Sequence, residues 1–229
     1  MAIRLTSANS EKMTTSGLAP TGDIVFECWL YPITVTGTQH WFFMIGNASA
    51  DYIAYTIGAS GDLDRFTAQT NKGGSFNANG NADITANQWY YFRGTRKSSD
   101  GVMTVKAWNA SDLSVHSSGT VTAGTGAMSY EGGASVQIGL NIAAGGVSYF
   151  DGRIRNAILI TSGIPTDAES LARAQASNPI LKGPNPNTVS NFWPMMDADD
   201  TRDLLQANTL TMVNTPTTED DPPNLPNRY

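Results

Sequence analysis

Two carboxylates in alternate positions, Asp62 and Asp64 of Asp62-Leu63-Asp64, are the nearest approach in this sequence to an acid pair for bond cleavage. On a strand they would share a face about 6.6 Å apart along the chain, within reach of a retaining glycosidase geometry. A third acid on that face is missing, because Phe66 holds the next position, so a turn-side or solvated pair is the better reading. His40 and His116 stand in no His-x-x-x-His spacing and beside no cysteine pair, which argues against zinc. Cys28 alternates inside an apolar run, where a buried thiol is the ordinary state and a nucleophile would need an adjacent base. The glycine-rich stretches lack the lysine and hydroxyl residue of a phosphate loop, and read as turns. A different chemistry suits the aromatics. Trp41, Tyr52, Tyr55, Tyr130 and Tyr149 are candidates for stacking on a sugar, since a ring offers one apolar face to a pyranose while polar loop groups fix its hydroxyls.

The elements that must position these residues read as strands. Two separated runs, Ile24-Val25-Phe26-Glu27-Cys28-Trp29-Leu30-Tyr31-Pro32 and Asn87-Gln88-Trp89-Tyr90-Tyr91-Phe92-Arg93-Gly94-Thr95, each set a tryptophan in a β-rich segment and close on a breaker. Further strands are predicted over 41–45, 52–57, 63–69, 102–108, 135–139 and 153–161, with strand character returning at 192–196 and 209–213. Between them lie Gly46-Asn47, Ser60-Gly61, Gly73-Gly74, Asp100-Gly101, Gly132-Gly133 and Gly145-Gly146, which suit hairpin turns. Such strands need a partner sheet over one face, so the expectation is an all-β antiparallel sandwich. Trp29 and Trp89 are expected as core anchors, each worth about 4–6 kcal/mol of burial before entropy. In the run near 153–161, simple alternation puts Ile154, Asn156, Ile158 and Ile160 on one face. One short peripheral helix is predicted from the capping box Thr166-Asp167-Ala168-Glu169, stopping at Asn178-Pro179. The domain is expected to span 1–214, and 215–229, rich in proline and acid, to form an extended arm.

Composition narrows the partners. In 229 residues there are 20 acidic against 14 basic side chains, a formal charge of −6, so a phosphate backbone would be repelled and nucleic acid is not expected. Arg93, Arg96 and Lys97, with Arg153 and Arg155, are expected as solvated charges near strand edges. A single cysteine excludes an internal disulfide, and Met1-Ala2-Ile3-Arg4-Leu5 lacks the apolar core of a secretory signal. Synthesis in the cytoplasm is therefore expected, and the triplets Asn47-Ala48-Ser49 and Asn109-Ala110-Ser111 are expected to carry no glycan. No apolar run approaches the roughly 20 residues that cross a bilayer, so membrane insertion is not expected.

Taken in order, Ile3-Arg4-Leu5, the Phe26 to Pro32 run, Thr85-Ala86-Asn87-Gln88-Trp89-Tyr90-Tyr91-Phe92, Met103-Thr104-Val105-Lys106-Ala107-Trp108, Ile138-Gly139, Tyr149-Phe150-Asp151-Gly152-Arg153-Ile154-Arg155-Asn156-Ala157 and the helix start resemble the laminin G-like branch of the concanavalin A-like lectin and glucanase superfamily. The resemblance implies a jelly roll. It departs at Asn109-Ala110-Ser111-Asp112, a longer connection than the family's Asp-Gly or Asn-Gly hairpin turn. The ending, Trp193-Pro194 with Asp197, Asp203, Leu210 and Asp221-Pro222-Pro223, is similar to laminin G-like proteins of bacteriophage and viral origin. Hydrolases of the superfamily carry a Glu-x-Asp-x-x-Glu strand that is missing here. Many members bind calcium at the rim, for which Asp51, Asp62, Asp64, Asp100 and Asp151, near predicted turns, are the candidate ligands, although no contiguous calcium loop occurs and no cofactor is required. The resulting expectation is a non-catalytic laminin G-like binding or structural protein, a multicopy accessory virion protein on the particle surface, on capsid or tail. Its partners would be cell-surface glycan or other virion subunits, and it would be multicopy or a homo-oligomer. The alternatives are a free-standing lectin module and a glycoside hydrolase.

Overall fold

The computed structural model describes residues 1–15, 17–36, 39–46, 51–59, 62–130, 135–139, 149–176, 189–195, 202–205, 208–220 and 222, without the side chains of 59, 62 and 63. Its strands are β1 (Ala2–Leu5), β2 (Lys12–Thr14), β3 (Ile24–Pro32), β4 (His40–Gly46), β5 (Tyr52–Ala59), β6 (Asp62–Thr70), β7 (Phe76–Asn79) and β8 (Tyr90–Arg96). There follow β9 (Val102–Asn109), β10 (Val115–Thr122), β11 (Val136–Ile138), β12 (Gly152–Ile160), helix α1 (Asp167–Ala174), β13 (Val189–Trp193), β14 (Thr211–Val213) and β15 (Thr217–Glu219).

They form two antiparallel sheets. The first runs β10-β9-β8-β3-β12-β1-β15, with β13 continuing beside β12 beyond β1, and the second runs β14-β2-β11-β4-β5-β6-β7. Alternation along each strand explains the layering. Phe26, Cys28, Leu30, Tyr90 and Phe92 of the first sheet meet Phe43, Ile53, Tyr55, Ile57 and Phe66 of the second in one buried core. The fold is an all-β antiparallel sandwich, as the strand pattern led us to expect, of the jelly-roll kind that the resemblance implied, with one short peripheral α-helix among the described residues.

The tryptophans lie differently from the expectation. Trp29 is buried, but with Tyr91, Trp108, Ala110 and Ala174 on the outer face of the first sheet, because it alternates with the inward Cys28 and Leu30. The interior is filled mainly by phenylalanine, tyrosine and aliphatic side chains, with Trp193 as its indole. Strand β12 corrects the simple alternation. Its pairing with β3 shifts between Arg155 and Ile158, and Asn156 there takes φ +51°, a β-bulge that reverses the face. Ile154, Ala157 and Leu159 therefore point inward, while Ile158 and Ile160 pack outside with Val25 and Phe192.

Of the basic residues expected as solvated charges, Lys97 is exposed and Arg153 half-buried, but the other three are not solvated. Arg93, Arg96 and Arg155 are buried. Arg96 reaches the carbonyls of Gly124 and Gly126, and Arg155 donates to the Met1 carbonyl. Within the stretch expected as an extended arm, Thr217–Glu219 pairs with β1, and Glu219 meets Arg4 and Arg153. Among the described residues no helix is long and apolar enough to cross a membrane.

Helix α1 covers the outer face of the first sheet. Thr166 caps it as the sequence indicates: its hydroxyl accepts from the Glu169 N–H while the Glu169 carboxylate accepts from the Thr166 N–H. Beneath it the fully buried Glu27 carboxylate accepts two bonds from Arg173, at 2.6 and 2.8 Å, and one each from Tyr91 and Ser170.

Candidate functional site

Pro32 ends β3 just after Tyr31, and the register that sets Leu30 opposite Tyr90 and Tyr90 opposite Asn109 brings three segments to one end of the first sheet. Tyr31, the 87–89 approach to β8 and the turn after β9 meet there. The Asn87 N–H donates to the Pro32 carbonyl at 2.7 Å, and the Ala110 N–H to the Trp89 carbonyl at 3.2 Å, so backbone bonds clip the segments together. Asn87 has φ +60°, a conformation that asparagine tolerates better than most residues. The β9–β10 turn is held by Asn109 Nδ2 donating to Ser114 Oγ and by Asp112 accepting from the Ser114 N–H.

These segments enclose an open cavity of about 360 Å³ lined by Tyr31, Asn87, Gln88, Trp89, Asn109, Ala110 and Ser111. The Tyr31 and Trp89 rings stand 5.3 Å apart, tilted by 53°. The Arg153 guanidinium lies 4.4 Å from the Tyr31 centroid. Trp89 is 9 % exposed and rests on the outer aromatic cluster, which fixes its position, while Asn87, Gln88 and Ser111 are exposed. Gln88 Oε1 accepts from the Tyr90 hydroxyl, which leaves the Gln88 amide nitrogen as a donor, and Asn109 keeps its carbonyl oxygen as an acceptor. Chemically this is an aromatic wall facing a fringe of amides and hydroxyls. It is suited to binding a polyol, and its lining among the described residues holds no acid or base for bond cleavage.

A second groove of about 470 Å³ lies between Asp23, Arg93, Thr95, Lys97, Val102, Thr104 and Ile164. Its cations are engaged. Arg93 donates to Asp167, Ser170 and the Pro165 carbonyl, and Lys97 pairs with Asp100 at 2.8 Å.

The aromatics singled out from sequence scatter. Trp41 and Tyr52 come together on the outer face of the second sheet, rings 6.1 Å apart, with Trp41 only 4 % exposed. Burial pushes the Tyr52 hydroxyl above the ordinary phenol value. Tyr55, three residues along β5, points the other way, is wholly buried against Phe26, Phe43 and Phe92, and has no face to offer a sugar; that candidate is withdrawn. Desolvation raises its phenol strongly. Tyr130 packs against the core with its hydroxyl donating to the Pro20 carbonyl at 2.9 Å, and Tyr149 is half-buried.

Nor do the five aspartates converge. Asp51 pairs with Lys72 at 2.9 Å and accepts from the Ser129 N–H; Asp100 accepts from Lys97 and the Val102 N–H. Asp151 accepts from Arg4 at 2.9 Å and Thr34 at 2.6 Å, and although burial opposes its charge these partners hold its carboxyl below the usual range. Asp64 takes φ +73° in a stretch where the β5–β6 register shifts, so the simple alternation that aligned it with Asp62 fails; the Asp62 side chain lies outside the described residues. No group of three metal-ligating side chains occurs among the described residues.

Sequence reasoning passed over Tyr31, Asn87, Gln88, Asn109 and Ser111, and took Trp89 as core alone. The available signal was the departure at Asn109-Ala110-Ser111-Asp112, whose extra length builds one wall of the cavity.

No family model and no curated protein matches the sequence. Solved structures match in fold. A candidate carbohydrate binding protein from Bacteroides ovatus superposes with a TM-score of 0.64 at 14% identity over 95% of this chain and 61% of that one. The heptameric SAP-like pentraxin of Limulus polyphemus gives 0.59 at 16% identity, covering 93% of this chain and 94% of the pentraxin. The enzymatically active domain of tailspike protein 2 from bacteriophage CBA120 gives 0.58 at 15% identity over 84% of this chain, which spans only 29% of that structure. A region of the laminin α2 chain also matches, so the laminin G-like expectation stands at the level of fold.

Proposed function

We propose that this chain is a non-catalytic glycan-binding jelly-roll module whose site is the cleft of Tyr31, Trp89, Asn87, Gln88, Asn109 and Ser111. The observation that carries this is the pairing of two tilted aromatic rings with amide and hydroxyl groups in one cavity of sugar size. The likeness in fold to a candidate carbohydrate binding protein supports it. No cofactor enters the reading: Asp51, Asp100 and Asp151 are occupied by Lys72, Lys97 and Arg4, and calcium removal is expected to leave binding unchanged. Catalysis does not enter it either, because the one sequence-level acid pair falls where the β5–β6 register breaks.

A shallow sugar site binds near millimolar, about −4 kcal/mol, so useful adhesion needs many copies on one body. The finer proposal is therefore a multicopy accessory virion protein, presented on the particle surface, for which the fold likeness to a phage tailspike region is the supporting observation. A multimerised chain on a glycan array tests the binding reading. Binding should appear and should be abolished by Ser111→Trp, which fills the cleft from an exposed position with melting temperature unchanged. Binding that survives Ser111→Trp would contradict the site. Mass spectrometry of purified particles lacking this chain would contradict the virion placement alone.

A further inference from the structure

We infer that the cleft takes an uncharged glycan segment and discriminates against sialylated, uronic or sulfated ones; this rests on the glycan-binding reading above. Among the described residues the cavity lining has no carboxylate, ammonium or guanidinium: Tyr31 and Trp89 supply apolar surface, and Asn87, Gln88, Asn109 and Ser111 supply neutral donors and acceptors. An anionic group brought into such a cleft sheds water without gaining a counter-charge, which is unfavourable unless a cation meets it. The cation against the cleft wall is not free to do so. Arg153 lies over the Tyr31 ring and is ion-paired with Glu219 of β15. The overall formal charge of −6 adds long-range repulsion of anions.

The neutral fringe matches a neutral polyol in kind. A primary amide presents a donor and an acceptor side by side, the complement of two adjacent hydroxyls, and here Gln88 keeps its amide N–H groups while Asn109 keeps its carbonyl. The second groove contrasts with it, because there Arg93 and Lys97 bring cationic groups, each engaged by an aspartate of this chain.

The test is titration of the intact chain, multimerised on a scaffold, with two probe sets: neutral oligosaccharides of glucose, galactose, mannose, xylose and arabinose, and sialyllactose, oligogalacturonate and a sulfated disaccharide. The expected result is binding confined to the neutral set, changing less than about twofold when salt rises tenfold, since screening acts on charged partners. Loss of that binding in Ser111→Trp, and weakening of about tenfold in Gln88→Ala, should accompany it. Anionic probes bound more tightly than neutral ones, with loss in Ser111→Trp, would overturn the discrimination while leaving the glycan-binding site standing. Binding of either set that ignores Ser111→Trp, or no binding by either set, would overturn both.

Discussion

Asn156 shows how one residue decides what the first sheet presents. Its φ of +51° sits in the left-handed region, and both atoms of its buried amide lack a partner. A β-branched side chain there would add a steric penalty of about 1–2 kcal/mol, whereas glycine would adopt the conformation freely and remove the orphaned amide. Urea unfolding should accordingly show Asn156→Val less stable by about 1–2 kcal/mol and Asn156→Gly within about 1 kcal/mol of the parent. A Val variant as stable as the parent would remove the bulge from the account. Period two was legible along β3, β8 and β5, but it does not say which face turns inward: Trp29, expected in the core, lies on the outer face, and Tyr55, expected to meet a sugar, lies inside. The bulge was not, because Arg155-Asn156-Ala157 carries no glycine, and only cross-strand pairing reveals which residue is extra.

At the scale of the element, α1 is a short helix held by a buried ion pair. The Thr166 to Glu169 box made its start readable, yet nothing local announced that Glu27, in the middle of an apolar strand, waits beneath it for Arg173. Removing one partner leaves a buried charge alone, at a cost of about 3–5 kcal/mol, while replacing both by methionine restores an apolar contact. Glu27→Ala should therefore lower stability by about that amount and expose α1 amides to hydrogen exchange. The Glu27→Met, Arg173→Met pair should recover most of the loss, and an equal loss in the pair would contradict the account. At the helix N-terminus burial opposes the Asp167 charge, but Lys106 and Arg93 more than offset it and hold the carboxyl below its ordinary value. A depressed folded pKa contributes stability above the unfolded value, about 3.9, and loses it as pH falls through the folded one. Asp167→Asn should thus flatten the decline of urea midpoint between pH 5 and pH 2, modestly, because the side chain is 46% exposed.

Across the whole molecule, two short strands late in the sequence lie at the edges of the two sheets. Strand β14 lies on the edge of the second sheet and β15 on the edge of the first, so the few residues from 211 to 219 border both layers. Proline and acid in that stretch suggested an arm. Within it Thr217 and Thr218 suit a strand edge, and Glu219 finds Arg4 and Arg153. Truncation after residue 214 should cost about 1–3 kcal/mol, with a Tm drop of about 2–4 °C for each. An unchanged melt would mean that β15 contributes nothing to closure. The two-sheet architecture was readable from strand rhythm alone. The cleft was not, because its walls come from segments far apart in sequence, brought together by β3–β8–β9 register. The same Arg153 joins the two features, binding Glu219 on one side and covering Tyr31 on the other.

That convergence makes the outer-face cleft the claim on which the account stands. The most direct measurement is a titration of the ¹⁵N-labelled chain with a neutral oligosaccharide followed by ¹H–¹⁵N spectra, which resolve the Trp indole and Asn and Gln side-chain amide signals. We predict saturable shifts at the Trp89 indole and at the Gln88 and Asn109 amides, with the Trp41 indole and Tyr52 backbone unmoved. Shifts at Trp41 and Tyr52 with Trp89, Gln88 and Asn109 silent would contradict it.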